Sequence, residues 1–146
     1  MELMALQYND EMKESITTVL EEAIEGRSLF YQPPEKIIFE GAEYKPGEFL
    51  DEARKRSLVG ERVLQYIHTQ ASLGLEEQLQ KVEDPNEPLV GSINPDGSET
   101  YYSATDMFLS MQNQTEDGIM LLKNYLRLNV PEMFGFVPRE IKTKEF

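Results

Sequence analysis

Apolar residues recur along this chain mainly at helical spacing. Met12, Ile16, Val19, Leu20 and Ala23 follow an i, i+3, i+4 pattern, which predicts an amphipathic helix over about residues 10–25. Asn9 or Asp10 can cap its start, and Gly26 suits the left-handed position just past its end. Residues 28–34 read as extended, because Pro33-Pro34 cannot continue a helix. Residues 36–40, Lys-Ile-Ile-Phe-Glu, read as a short strand stopped by Gly41.

Pro46 suits a first helical turn, and from it the spacing predicts one long helix to about residue 70. Its stripe is Phe49, Leu50, Ala53, Ser57, Gly60, Val63, Leu64, Ile67 and Ala71. A mid-helix glycine costs about 1 kcal/mol relative to alanine. Gly60 therefore implies either a close crossing by another element or a break into two helices. A third helical stretch covers residues 75–81, and residues 83–88 are a polar, proline-containing loop. Residues 89–93 and 99–103 flank Asn94-Pro95-Asp96-Gly97, a strong turn signal, and predict a β-hairpin. Thr105 can cap a helix to residue 112, and Thr115 another over about 116–128, which Pro131 closes. From Phe134 the pattern is irregular or a short strand, and residues 141–146 read as a loose tail.

The expected fold is thus α+β and predominantly helical. It has four to five helices, a small antiparallel hairpin at about 89–103 and one further short strand at 36–40. At 146 residues the chain fits a single domain, long enough to bury roughly two-thirds of its unfolded surface.

Charge changes this picture most. The chain holds 27 acidic and 14 basic residues, for a net charge of −13, and residues 1–97 carry −11 of it. On the first helix Asp10, Glu11, Glu14, Glu21, Glu22 and Glu25 lie opposite the apolar stripe, with Lys13 to one side. Like charges at this spacing cost a few tenths of a kcal/mol each. Those in the first turns regain part of that near the positive helix end, whereas Glu21, Glu22 and Glu25 sit at the wrong end. These six acids are the candidate partner-binding residues. The plain alternative is a solvated face that keeps the protein soluble. Arg54-Lys55-Arg56, with Arg62, is the only basic concentration.

Catalytic machinery is hard to find. There is no cysteine, so disulfides, thiolate metal sites and thiol nucleophiles are excluded. The one histidine, His68, flanks the long-helix stripe and reads as structural. No Gly-x-Ser-x-Gly elbow, phosphate loop or Gly-x-Gly-x-x-Gly is present. Any metal site would be all-oxygen, drawn from Glu21, Glu22 and Glu25 or from Asp51-Glu52, and no calcium loop exists. Glu140-Ile141-Lys142 matches half of a nuclease motif that needs an upstream aspartate on a neighbouring strand. Tyr101-Tyr102-Ser103-Ala104-Thr105-Asp106-Met107 resembles the start of the KilA-N type of phage DNA-binding domain over those seven residues. The rest of that pattern is missing, as is the basic surface DNA contact requires, so the family is not assigned.

The sequence favours a non-catalytic, cofactor-free interaction module, an inhibitor or regulator that docks on a basic protein surface. A nucleic-acid-handling partner, as for phage or prokaryotic antagonists, suits that chemistry. Direct nucleic-acid binding is disfavoured because acidic surface repels phosphate. A membrane role is also disfavoured, because no stretch approaches the roughly 18–20 apolar residues of a span. Lack of a secretory signal points to the cytoplasm, the host's if the chain is viral. Met4-Ala5 would make as ordinary a start as Met1. A small structural or assembly subunit with apolar contacts is the alternative. Phe30, Tyr31, Phe39, Tyr101, Tyr102, Phe108, Phe134 and Phe136 motivate it, and self-association stays open.

Overall fold

A computed structural model describes residues 6–139. In chain order the elements are α1 (Asp10–Ile24), β1 (Tyr31–Gln32), β2 (Ile37–Phe39), β3 (Ala42–Tyr44), α2 (Pro46–Lys55) and α3 (Leu58–Lys81). There follow β4 (Pro88–Ile93), β5 (Glu99–Ser103), α4 (Ala104–Gln112), α5 (Glu116–Met133) and β6 (Val137–Pro138). The fold is α+β and predominantly helical, as the periodicity implied. Its strands form three separate two-stranded antiparallel ribbons, β1–β6, β2–β3 and β4–β5.

α1 forms as its sequence predicts. Asn9 Oδ1 accepts the Met12 N–H at 3.0 Å, and all five stripe residues are buried. Its end is a Schellman turn: Gly26 takes φ +77°, and the Arg27 N–H reaches the Glu22 carbonyl at 2.9 Å. That turn places Arg27 beside the last acids of the helix.

The single long helix expected from residue 46 is instead two, and the stretch expected at 75–81 is the end of the second. Arg56 adopts a left-handed conformation (φ 52°) that ends α2, and the Ser57 side chain caps α3 by accepting the Gly60 N–H at 3.0 Å. Both readings of Gly60 hold together. A Cβ at that position would sit 1.9 Å from the Glu52 carbonyl oxygen, so the break folds α2 back onto α3 at a residue without a side chain. The stripe itself survives, because both pieces present the same residues to the core: all but the half-buried Ser57 are buried.

Other boundaries also moved. β2 ends before Gly41 as expected, but it is one arm of a hairpin. Glu40 (φ 49°) and Gly41 (φ 79°) make a two-residue turn of the kind that matches strand twist, and β3 returns along β2. The hairpin appears where predicted, with Asn94 through Ser98 turning the chain. The cap of α4 is Ser103 rather than Thr105. Ser103 Oγ accepts the Asp106 N–H at 3.1 Å while the Asp106 carboxylate accepts the Ser103 N–H at 3.0 Å. Thr105 Oγ1 finds no partner among the described residues. The YYSATDM stretch is thus the end of a strand running into a capping box. Thr115 caps α5 as expected. Pro131, however, lies inside its last turn, and its carbonyl accepts the Phe136 N–H at 2.9 Å across Gly135 (φ 71°). This second Schellman turn drives Phe134 and Phe136 into the core and delivers β6 to β1.

One hydrophobic cluster draws on all five helices. Its centre is aromatic: Phe49 meets Phe134 at 5.0 Å and Phe39 at 5.9 Å between ring centroids, with Tyr66 and Tyr44 at the margin. Of the eight aromatics in apparent surplus, Phe39, Phe108, Phe134 and Phe136 are core residues. No described helix is long and apolar enough to cross a membrane.

Candidate functional site

α1 and α5 lie side by side and run parallel. At one end the N-cap Asn9 and Gln114, which precedes the α5 cap, exchange side-chain amide hydrogen bonds of 2.7 and 2.8 Å. Further along, Glu22 on α1 meets Arg127 on α5 at 2.9 and 3.2 Å. Parallel helices set their positive ends together, an arrangement that first-turn acids relieve. Asp10 and Glu11 on α1 and Glu116 and Asp117 on α5 occupy those turns.

The six acids assigned to one face of α1 therefore divide. Glu21 and Glu25 share the Arg54 guanidinium of α2 at 2.9 and 3.1 Å, and Arg27 adds a contact to Glu25 at 3.0 Å. Glu22 is held by Arg127, whose hydrogen bond, joined by neighbouring positive charge and opposed by burial, keeps its carboxyl below the usual range. The wrong-end acids are thus neutralised by arginines from elsewhere in the fold. Asp10, Glu11 and Glu14 are exposed and form no ion pair among the described residues; neighbouring Lys13 bonds to Glu61 at 3.1 Å. Among the described residues, only this N-terminal half of the face is free of ion pairs.

The fold adds acids that the reading of α1 missed. Between Lys81 and Lys123 the chain carries eight acidic residues and no lysine or arginine. This base-free stretch makes the hairpin, α4 and the first turns of α5. Asn9–Gln114 ties its far end to the start of α1. It straddles residue 97, so the charge of residues 1–97 does not reveal it; its signal in the sequence is the length of the base-free run, residues 82–122.

Two grooves among the described residues are apolar. One, of about 410 Å³, lies between the C-terminal half of α1, residues 27–30 and α5. Leu29 (83% exposed), Phe30 and Leu128 border it, and the Glu22–Arg127 pair lies at its edge. The other, of about 310 Å³, lies between the end of α3, α4 and α5, and is lined by Leu79, Val82, Met107, Met111, Leu121 and Tyr125 among others.

The remaining candidates take structural roles or lie elsewhere. His68 Nε2 donates to the Leu6 carbonyl at 2.7 Å, and its ring packs on Tyr8 at 4.7 Å. Glu52 accepts from Ser57, and Arg62 pairs with Glu40 at 3.1 Å, so much of the basic concentration is spent within the fold. Among the described residues, no group of three or more histidine, cysteine or acidic side chains could hold a metal ion. Glu140-Ile141-Lys142 and the tail at 141–146 lie outside the described residues. No family model, curated protein or solved structure matches this chain.

Proposed function

We propose that this protein is a non-catalytic interaction module that docks its acidic end on a basic surface of a partner protein. It acts there as an inhibitor or regulator, in the cytoplasm, without binding nucleic acid itself. The observation that carries the reading is the division of charge along the α1–α5 pair. Arginines neutralise one end, whereas Asp10, Glu11 and Glu14 adjoin a stretch with eight acids and no base at the other. Such a one-sided field speeds encounter with a cationic partner and disfavours phosphate-bearing ones. A nucleic-acid-handling protein, whose binding groove is basic, suits this chemistry.

The test is capture on immobilised protein at low salt, with bound proteins identified by mass spectrometry. Reversal of Asp10, Glu11 and Glu14 to lysine is expected to abolish capture, and so is raised salt, because exposed charges are screened. Retention of the same partner by the reversed variant overturns the reading. Glu21, Glu22 and Glu25 are unsuitable for this test, because reversing them breaks ion pairs of the fold itself. A second reading, an assembly subunit with apolar contacts, draws on exposed Leu29, Phe30 and Leu128 around the first groove. Self-association that persists in high salt, seen as native mass, would favour it.

A further inference from the structure

We infer that the groove between the end of α3, α4 and α5 receives a cationic amphipathic helix of the partner, apolar side inward. This rests on the acidic docking proposed above and names the partner's chemistry.

The groove is apolar and only partly filled by the protein itself. Leu79, Val82, Met107, Leu121 and Tyr125 are each half-buried, over a floor that includes buried Phe108 and Met111. Leaving that much apolar surface half in water forgoes stabilisation of about 25 cal/mol per Å². An apolar occupant recovers it. Met107 on one wall and Met111 in the floor suit an irregular guest, since their unbranched, polarizable side chains repack around whatever enters. Helical walls present ridges and grooves that match side chains spaced i, i+3 or i+4, and i+7, the anchors of a helix laid in a groove.

Charge selects the sign of the occupant. Glu76, Glu83 and Asp84 adjoin the lining residues Leu75 and Val82 in sequence, whereas Glu77 and Asp106, each two residues from lining residues on both sides, lie away from the groove. Lys81 is the one base beside them, and it is paired to Glu77 at 3.1 Å. Lys123 stands two residues from both Leu121 and Tyr125, hence on the opposite side of α5, where its charge acts on Glu22. The α1–α5 groove differs: Glu22, Arg27 and Arg127 give its edge both signs, so charge chooses no partner there.

A fluorescein-labelled peptide of leucine and lysine, about 18 residues or five helical turns long, patterned as an amphipathic helix, is the probe. A scrambled peptide of the same composition is its control. At low salt the patterned peptide is expected to bind about ten-fold tighter or more, the effect of burying one or two leucine side chains. In protein labelled with ¹³C-methyl methionine, the Met107 and Met111 signals are expected to shift. The signal of Met120, exposed on α5 and not among the groove-lining residues, is expected to stay. Leu79→Gln and Met107→Gln should each weaken the patterned peptide several-fold and leave the scrambled one unchanged. Should a variant lose its circular dichroism, the methyl shifts of the unmodified protein decide. Equal affinity for the two peptides, with unmoved Met107 and Met111 signals, overturns the groove while leaving acidic docking standing. Failure of both peptides to bind at low salt overturns the groove and the acidic docking together.

Discussion

The two ends of the α1–α5 pair carry similar acidic side chains in opposite circumstances. At the C-terminal end of α1, Glu21, Glu22 and Glu25 face Arg54, Arg27 and Arg127, and the surrounding core is closed by the Phe39–Phe49–Phe134 cluster. At the other end Asp10, Glu11 and Glu14 meet Glu116 and Asp117 across an amide pair. The neighbouring hairpin and α4 bring more acids, no bases, and an apolar groove left partly unfilled. Acid density along a sequence therefore says little about the field a surface presents. Bases supplied by distant segments decide it, and here they go to one end only.

Core truncation should separate the ends most. Phe49→Ala is expected to cost about 3–5 kcal/mol, because a wholly buried ring leaves a cavity. Met107→Ala, at the partly filled groove, should cost about 1 kcal/mol. Urea unfolding of both variants measures the contrast, and equal costs would erase it. Next come two close approaches of backbone to backbone. An added Cβ meets the Glu52 carbonyl oxygen at Gly60 and the Ser110 carbonyl oxygen at Gly118, each at 1.9 Å. Gly60→Ala should destabilise by about 1–3 kcal/mol, as overpacking does. Gly118→Ala should cost at least as much, because the Ser110 carbonyl carbon and the Met111 amide nitrogen also lie within 2.7 Å of an added Cβ. Thermal unfolding of both variants reads the two costs.

Smaller effects test the electrostatics. The Glu22 carboxyl is held below its ordinary value of 4.5 by Arg127, so its contribution to stability is complete above that value. It declines as pH drops below 4.5 and vanishes once pH falls through the lowered folded-state value. The stability gap between the wild type and Glu22→Gln should close over that range, and a gap that stays constant would refute the pairing. Smallest of all, neutralising Asp10, Glu11 and Glu14 together should change stability by about 1 kcal/mol or less. Lost helix-end stabilisation and relieved repulsion oppose each other there. A large loss, read by thermal unfolding, would mean that these acids serve the fold.

Much of the fold was legible because its signals are local. The stripe of α1, its Asn9 and Gly26 boundaries, the turn at 94–97 and the Thr115 cap each depend on residues a few positions apart. The errors share a cause. At residue 56 an arginine, not a glycine or proline, takes the left-handed conformation, so nothing in the local pattern announces the break. Ser103 and Thr105 are equally good caps in isolation, and only the end of β5 chooses between them. Pro131 reads as a stop, yet a last helical turn tolerates it because the chain curls back through Gly135. The return strand β3 is three residues long, too short for an alternation to register.

The candidate site was half legible. Asp10, Glu11 and Glu14 were found by helical spacing, and the absence of cysteine and of phosphate-loop sequences needs no fold to be seen. Which of the six acids remain unpaired could not be read, because Arg54 and Arg127 lie 29 or more residues from the carboxylates they bind. Periodicity and capping, short-range properties of the backbone, thus sufficed to specify the helices, their buried faces and the overall negative charge. Ion pairs, helix crossings and grooves arise between segments distant in the chain. Only the tertiary structure therefore decided which acids are spent on the fold, which stand free, and where an apolar groove opens beside them.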